Sequence, residues 1–160
     1  RSVNVPIATG EDIYLKENFK PLLESGGVSL IHPDVLTSGG ILENKKIGDL
    51  AQEYGVGMVV HMAETPVACM AAVHSVAATE NVMALEFHSN DIPWWQDLVE
   101  CSFKPIVDHG FIKVPDAPGL GIEALNDDVI KEHMEEDKIP GLWESTDEWN
   151  NTFAHDRLWS

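Results

Sequence analysis

Four times in its first hundred residues the chain repeats one phrase. A short apolar run closes on a polar residue, a loop containing Gly or Pro follows, and a segment of helical periodicity comes next. Pro6-Ile7-Ala8-Thr9-Gly10-Glu11 leads to a helix predicted over about Leu15 to Glu24. Val28-Ser29-Leu30-Ile31-His32 runs to Pro33-Asp34, then to a helix from about Leu42 to Tyr54, striped by Ile47, Leu50 and Ala51. Gly57-Met58-Val59-Val60-His61 is followed by Thr65-Pro66, an N-cap with Pro at the first helical position, and a small-residue helix from Val67 to Ala78. Val82-Met83-Ala84-Leu85-Glu86-Phe87 forms a fourth strand, after which the pattern stops. Apolar runs without strict alternation, each followed by a helix, imply strands of a parallel sheet. The fold class is therefore α/β, closed either as an open doubly wound sheet or as a (β/α)₈ barrel. No Gly-x-Gly-x-x-Gly or Walker loop supports the nucleotide-type open sheet, and four units are half a barrel.

The polar residues fall in register with this repeat. Glu11, Asp34, His61 and Glu86 each stand at the C-terminal end of one predicted strand, the edge at which parallel α/β folds build their sites. One such residue alone is explained by loop capping; four, one per unit, are not. A carboxylate at a strand mouth, Glu11, suits a hard divalent cation such as Mg²⁺, which needs further oxygen ligands. Asp34 beside His61 makes a general-base pair, the carboxylate fixing the tautomer of the imidazole. Glu86, if protonated, can donate a hydrogen bond to a developing oxyanion. Metal, base and acid around one cavity suit removal of a proton α to a carboxylate.

The runs Thr9-Gly10-Glu11-Asp12, His32-Pro33-Asp34-Val35-Leu36-Thr37-Ser38-Gly39-Gly40-Ile41, Val60-His61-Met62 and Leu85-Glu86 resemble the barrel domain of the enolase superfamily. Within it the likeness is to the mandelate racemase subgroup, and there to sugar-acid dehydratases of the galactonate dehydratase type, over about residues 6 to 123. The resemblance implies strands five to eight of a (β/α)₇β barrel, with 1–105 as the second half of the barrel domain. It makes 106–160 an extension returning to a capping domain, ending in an acidic tail. It implies that Glu11 is the third Mg²⁺ ligand and that Asp34 and His61 are the dyad. Glu86 would hydrogen-bond the enediolate or the substrate carboxylate. The implied reaction is dehydration of an aldonate-class acid to a 2-keto-3-deoxy acid. A racemase or epimerase of the same superfamily and an inactive structural homologue are the alternatives, and a cycloisomerase is disfavoured because Asp34 stands where that subgroup uses Lys. Two metal carboxylates, a second acid/base group and the capping domain are expected in an N-terminal part of the same protein. The resemblance also implies a cytoplasmic homo-oligomer.

Other residues carry two readings. His32, two before Asp34, is placed at the same mouth as a substrate contact or is a packed, loop-bonded histidine. His88, two after Glu86, shares its side of the strand and is a second substrate-contact candidate. Glu64 reads as a helix-end charge rather than a catalyst. His74 reads as structural, and His109, His133 and His155 as solvated. Trp94-Trp95 reads as packing, with a wall of the site as the alternative. The net charge of −17, from 27 acidic and 10 basic residues, opposes nucleic acid and anionic membranes as partners. The last 34 positions hold ten acidic and three basic residues and read as a solvated tail. Cys69 and Cys101 have no metal or redox spacing and are expected as free thiols, consistent with a reducing cytoplasm. The opening Arg1-Ser2-Val3-Asn4-Val5-Pro6 reads as a helix end running into a strand, so the chain is expected to be cut from a longer protein.

Overall fold

The structure, a computed structural model, describes residues 3–134. The expected acidic tail beyond residue 134 and His155 lie outside the described residues. Four parallel strands stand in the order β1 (Ala8–Thr9), β2 (Leu30–Ile31), β3 (Gly57–Val60), β4 (Val82–Leu85). Between them run α1 (Leu15–Glu24), α2 (Val35–Ser38), α3 (Ile41–Glu53) and α4 (Pro66–Ala77). Sequential parallel order with a crossover helix after each strand is the arrangement of one half of a (β/α)₈ barrel. The fold is thus a partial barrel of the α/β class, as the repeat implied. Among the described residues both outer strands have an unpaired edge, and Ala8, Thr9, Met83 and Ala84 are all exposed, Met83 at 71%.

The regular strands are shorter than the apolar runs that announced them, but pairing continues past their ends. Ser29 N and Leu30 N donate to Ile7 O, His32 N to Thr9 O, His61 N to Pro33 O and Glu86 N to Val60 O, at 2.9–3.1 Å. These outlying bonds fix the height of His32, His61 and Glu86 at the mouth. The sheet's helix-facing side is one apolar cluster in which Phe19, Ile31, Ile47, Ala51, Met58 and Val60 are fully buried. Each such large side chain contributes roughly 1.5–3 kcal/mol on burial. Two glycines are set by close approach. A Cβ at Gly48, inside α3, would lie 2.4 Å from Thr79 Cγ2 and 2.9 Å from Met58 Sδ. Gly10 takes φ +131° and would press 2.8 Å against Phe19 Cε1, so the turn that delivers Glu11 requires glycine.

A buried polar bridge ties the helices together. Ser75 Oγ donates to Asn44 Oδ1 at 3.0 Å and Asn44 Nδ2 to Ser38 Oγ at 3.3 Å, joining α4, α3 and α2, with all three residues fully buried. The short helix α2 was not anticipated. It forms because Asp34, in extended conformation, caps it by accepting from Leu36 N and Thr37 N. After β4 come 3-10 turns at Ser89–Asp91 and Trp95–Leu98, an antiparallel pair β5 (Val99–Glu100) and β6 (Ala124–Leu125), and α5 (Asp127–Glu132). Ile106 and Trp95 join Met62, Cys69, Met70, Val73 and Val99 in a second apolar cluster. Cys69 is buried and Cys101 half-buried, both free thiols.

Candidate active site at the strand mouth

Asp34 is 2% exposed and spends both carboxylate oxygens. Oδ1 accepts from the backbone N–H of Leu36 (2.6 Å) and Thr37 (3.1 Å), while Oδ2 lies 2.7 Å from His61 Nδ1. The two residues also form a parallel bridge at the ends of β2 and β3, so backbone pairing and side-chain contact have the same origin. An ionised carboxylate only accepts, so His61 Nδ1 carries the hydrogen and Nε2 presents its lone pair at the mouth.

His61 is 19% exposed, and its Nε2 stands 3.9 Å from both Glu11 Oε2 and Glu86 Oε2. Burial pulls the His61 pKa down, but the hydrogen bond and charge of Asp34, with the charge of Glu86, outweigh it, so the imidazole lies above its ordinary value. Glu86 is flanked on two sides. His88 Nε2 stands 2.7 Å from Oε1, and His32 Nε2 is 3.1 Å from Oε2 without the alignment of a hydrogen bond. Burial raises the Glu86 pKa, yet the His88 bond and the charges of His32, His88 and His61 prevail and hold it below the carboxylate range. His32, His61 and His88, at the ends of β2, β3 and β4, thus favour the ionised form of Glu86, whereas the donor role expected for it needs the protonated form.

The geometry brings all six sequence candidates together. His32 Nδ1 is 3.8 Å from Glu11 Oε2, and the His32 ring packs edge-on to His61 with centroids 5.3 Å apart. His88 stacks obliquely on the other side of His61 at 5.9 Å. Glu11, 54% exposed, is held at its backbone, where its carbonyl accepts from Thr37 Oγ1 at 2.8 Å. Among the described residues its carboxylate meets only the nitrogens of His32 and His61. One oxygen donor fits Mg²⁺, and the nitrogen neighbours do not complete its shell.

Glu64 also reaches the base. Its carboxyl turns back to accept from Ala63 N at 3.0 Å and faces Asp34 and His61, with the ligand-type atoms of all three within 4.8 Å of one another. Its carbonyl accepts from Trp95 Nε1 at 2.8 Å, and Trp95 packs T-shaped on Phe87 at 4.9 Å, which places that Trp as packing beneath the site. A carboxylate three residues past the base, ahead of a helix, was the only hint in the sequence.

Residues 1–129 match the family described as enolase C-terminal domain-like. The chain belongs to this family. This enolase-superfamily domain is 39% identical over 136 residues to a D-xylonate dehydratase of Haloferax volcanii, covering 85% of this chain and 32% of that protein. It is 35% identical over 124 residues to a D-galactonate dehydratase of Ralstonia pickettii, covering 75% and 32%. Among solved structures it superposes with a TM-score of 0.81 on a mandelate racemase/muconate lactonizing enzyme-like protein from Rubrobacter xylanophilus. The identity there is 35%, over 85% of this chain and 34% of that one. The enolase-type chain thus spans about a third of the length of the relatives it matches.

Proposed function

We propose that the full-length protein is a hydro-lyase that dehydrates an aldonate-class sugar acid, with His61 as the base that removes the proton α to the carboxylate. The observation that carries this is the Asp34–His61 pair at 2.7 Å, its Nε2 aimed at a mouth shared with Glu11 and Glu86. Support also comes from relatives named as D-xylonate and D-galactonate dehydratases.

Asp34 holds the tautomer and stabilises the imidazolium that forms when His61 Nε2 takes the α-proton. Electrons left on the substrate delocalise into an enediolate, the β-hydroxyl departs as water with one proton given back by an acid such as the His61 imidazolium, and the enol ketonises to a 2-keto-3-deoxy acid. Glu86 stands between His32 and His88, which line the same mouth, and is placed to hydrogen-bond the substrate or its enediolate. Glu11 would be one oxygen ligand of Mg²⁺, with the other ligands supplied by parts of the protein outside this chain. A bound Mg²⁺ supplies Lewis-acid polarisation of the substrate carboxylate. The division into a half-barrel (1–105) and an extension toward a capping domain (106–160), multimeric assembly and a cytoplasmic location belong to the same proposal. No described helix is long and apolar enough to cross a membrane.

The test is a screen of the full-length protein with Mg²⁺ against aldonic and uronic-derived acids, following 2-keto-acid formation. The reading expects one acid or a small related set to give product. Interconversion of 2-hydroxy acid stereoisomers without keto-acid product would replace it with racemisation.

A further inference from the structure

Glu64 has no part in the chemistry just described, yet its carboxyl sits behind the base. Trp95 Nε1 pins its backbone, Ala63 N–H takes one carboxyl oxygen, and the carboxyl lies against Asp34 and His61. Asp34 is buried at 2% exposure and already accepts from Leu36 N, Thr37 N and His61 Nδ1. It has nothing to donate. A second carboxyl packed on such a group is either an anion repelled at short range or a neutral acid donating its O–H. Among the described residues the titratable groups acting on Glu64 are Asp34 at the end of β2 and His61 at the end of its own β3, with the Cys69 thiol on α4; none is a lysine or arginine.

We propose that Glu64 is held as a neutral acid whose O–H donates to Asp34, making a Glu64–Asp34–His61 chain in which Glu64 is a positioning residue for the base. Burial and the contact with Asp34 both raise the Glu64 carboxyl above its ordinary value, while Ala63 N–H and His61 pull the other way. Burial likewise pushes the Cys69 thiol up to about 12, so it stays neutral beside Glu64. The donated hydrogen bond fixes the Asp34 carboxylate in the plane that meets His61 Nδ1. It also shares the charge of Asp34, so that the imidazolium formed on proton abstraction still releases its proton. During turnover the α-proton moves from substrate carbon to His61 Nε2, and Glu64 keeps its own. The positioning role rests on His61 being the base; the protonated state of Glu64 does not.

The experiment uses the full-length protein and two variants, E64Q and E64L. A neutral-pH infrared difference spectrum, wild type minus E64Q, should show the C=O stretch of a protonated carboxyl, because the amide replaces it. A spectrum without that band overturns the proposal. In turnover, Gln keeps a donor toward Asp34 and an acceptor for Ala63 N–H, whereas Leu keeps neither. E64L should lower kcat about 10- to 100-fold with KM little changed, the cost of a hydrogen bond to a charged group, and E64Q should recover most of that loss. An E64L enzyme as fast as wild type, or an E64Q enzyme as slow as E64L, contradicts the positioning role. The infrared band is read whether or not E64L folds and whether or not a sugar acid is dehydrated. A failed substrate reading is therefore distinguishable from a failed Glu64 assignment.

Discussion

Asp34 does two jobs with one carboxylate, and a single substitution separates them. Asn is as good an N-cap as Asp, so Asp34→Asn should leave α2 in place. Its amide nitrogen, however, cannot accept from His61 Nδ1, and the imidazole turns to the wrong tautomer. In a serine-protease triad the equivalent change drops kcat by about 10⁴-fold, and a loss of comparable order is expected here. Protonation of His61 gives a second prediction. Its folded pKa is raised, so the imidazolium–Asp34 pair adds stability below the ordinary value of about 6.5, and that stability is lost as pH rises through the folded value. Metal-free protein should therefore show His61 titrating above 6.5 by NMR, and below it in Asp34→Asn. Glu11, Asp34, His61 and Glu86 were legible in the sequence because strand ends in a parallel sheet share one edge. The lowering of the Glu86 pKa was not, since it depends on imidazoles at the ends of β2, β3 and its own β4. In the sequence Glu64 reads only as a helix-end charge, because its approach to Asp34 and His61 depends on a side chain turning back across a loop.

Among the elements, helix positions were legible to within a residue or so, because apolar periodicity and Thr65-Pro66 mark them directly. The helix α2 was hidden, since four residues carry no period and its cause is the Asp34 cap. The β5–β6 pair was hidden because each strand has only two residues, joined across a long loop. Glycine in the middle of α3 costs about 1 kcal/mol in helix propensity, so Ala at position 48 would ordinarily help. Here the added methyl collides with Thr79 and Met58. Gly48→Ala should destabilise by about 1–3 kcal/mol, the usual range for overpacking. Urea unfolding of the full-length protein measures this, and an increase in stability would mean that α3 stands farther from β3 than described. The Asn44 bridge explains why a polar residue occupies a fully buried position between three helices.

At the scale of the molecule, the open edges at β1 and β4 and the single carboxylate at Glu11 make the same point. Among the described residues no strand lies beyond β1 or β4, and the proposed cation site has one carboxylate. The chain alone should therefore show no heat of Mg²⁺ binding at millimolar metal, whereas the full-length protein should bind and Glu11→Gln should weaken it. Calorimetric titration of the three proteins checks this, and equal binding with and without Glu11 would remove it from the metal site. The net charge of −17 limits what approaches this surface, but the mouth itself is lined by histidines and closed by a base pair. The central claim is that His61 takes the α-proton. Its most direct test is 2-keto-acid formation by the full-length His61→Asn enzyme with Mg²⁺ and the acid that wild type consumes. The account predicts loss of turnover by at least the 10²- to 10⁴-fold that a general base supplies, with an unchanged circular dichroism spectrum; dehydration at a near-normal rate would contradict it.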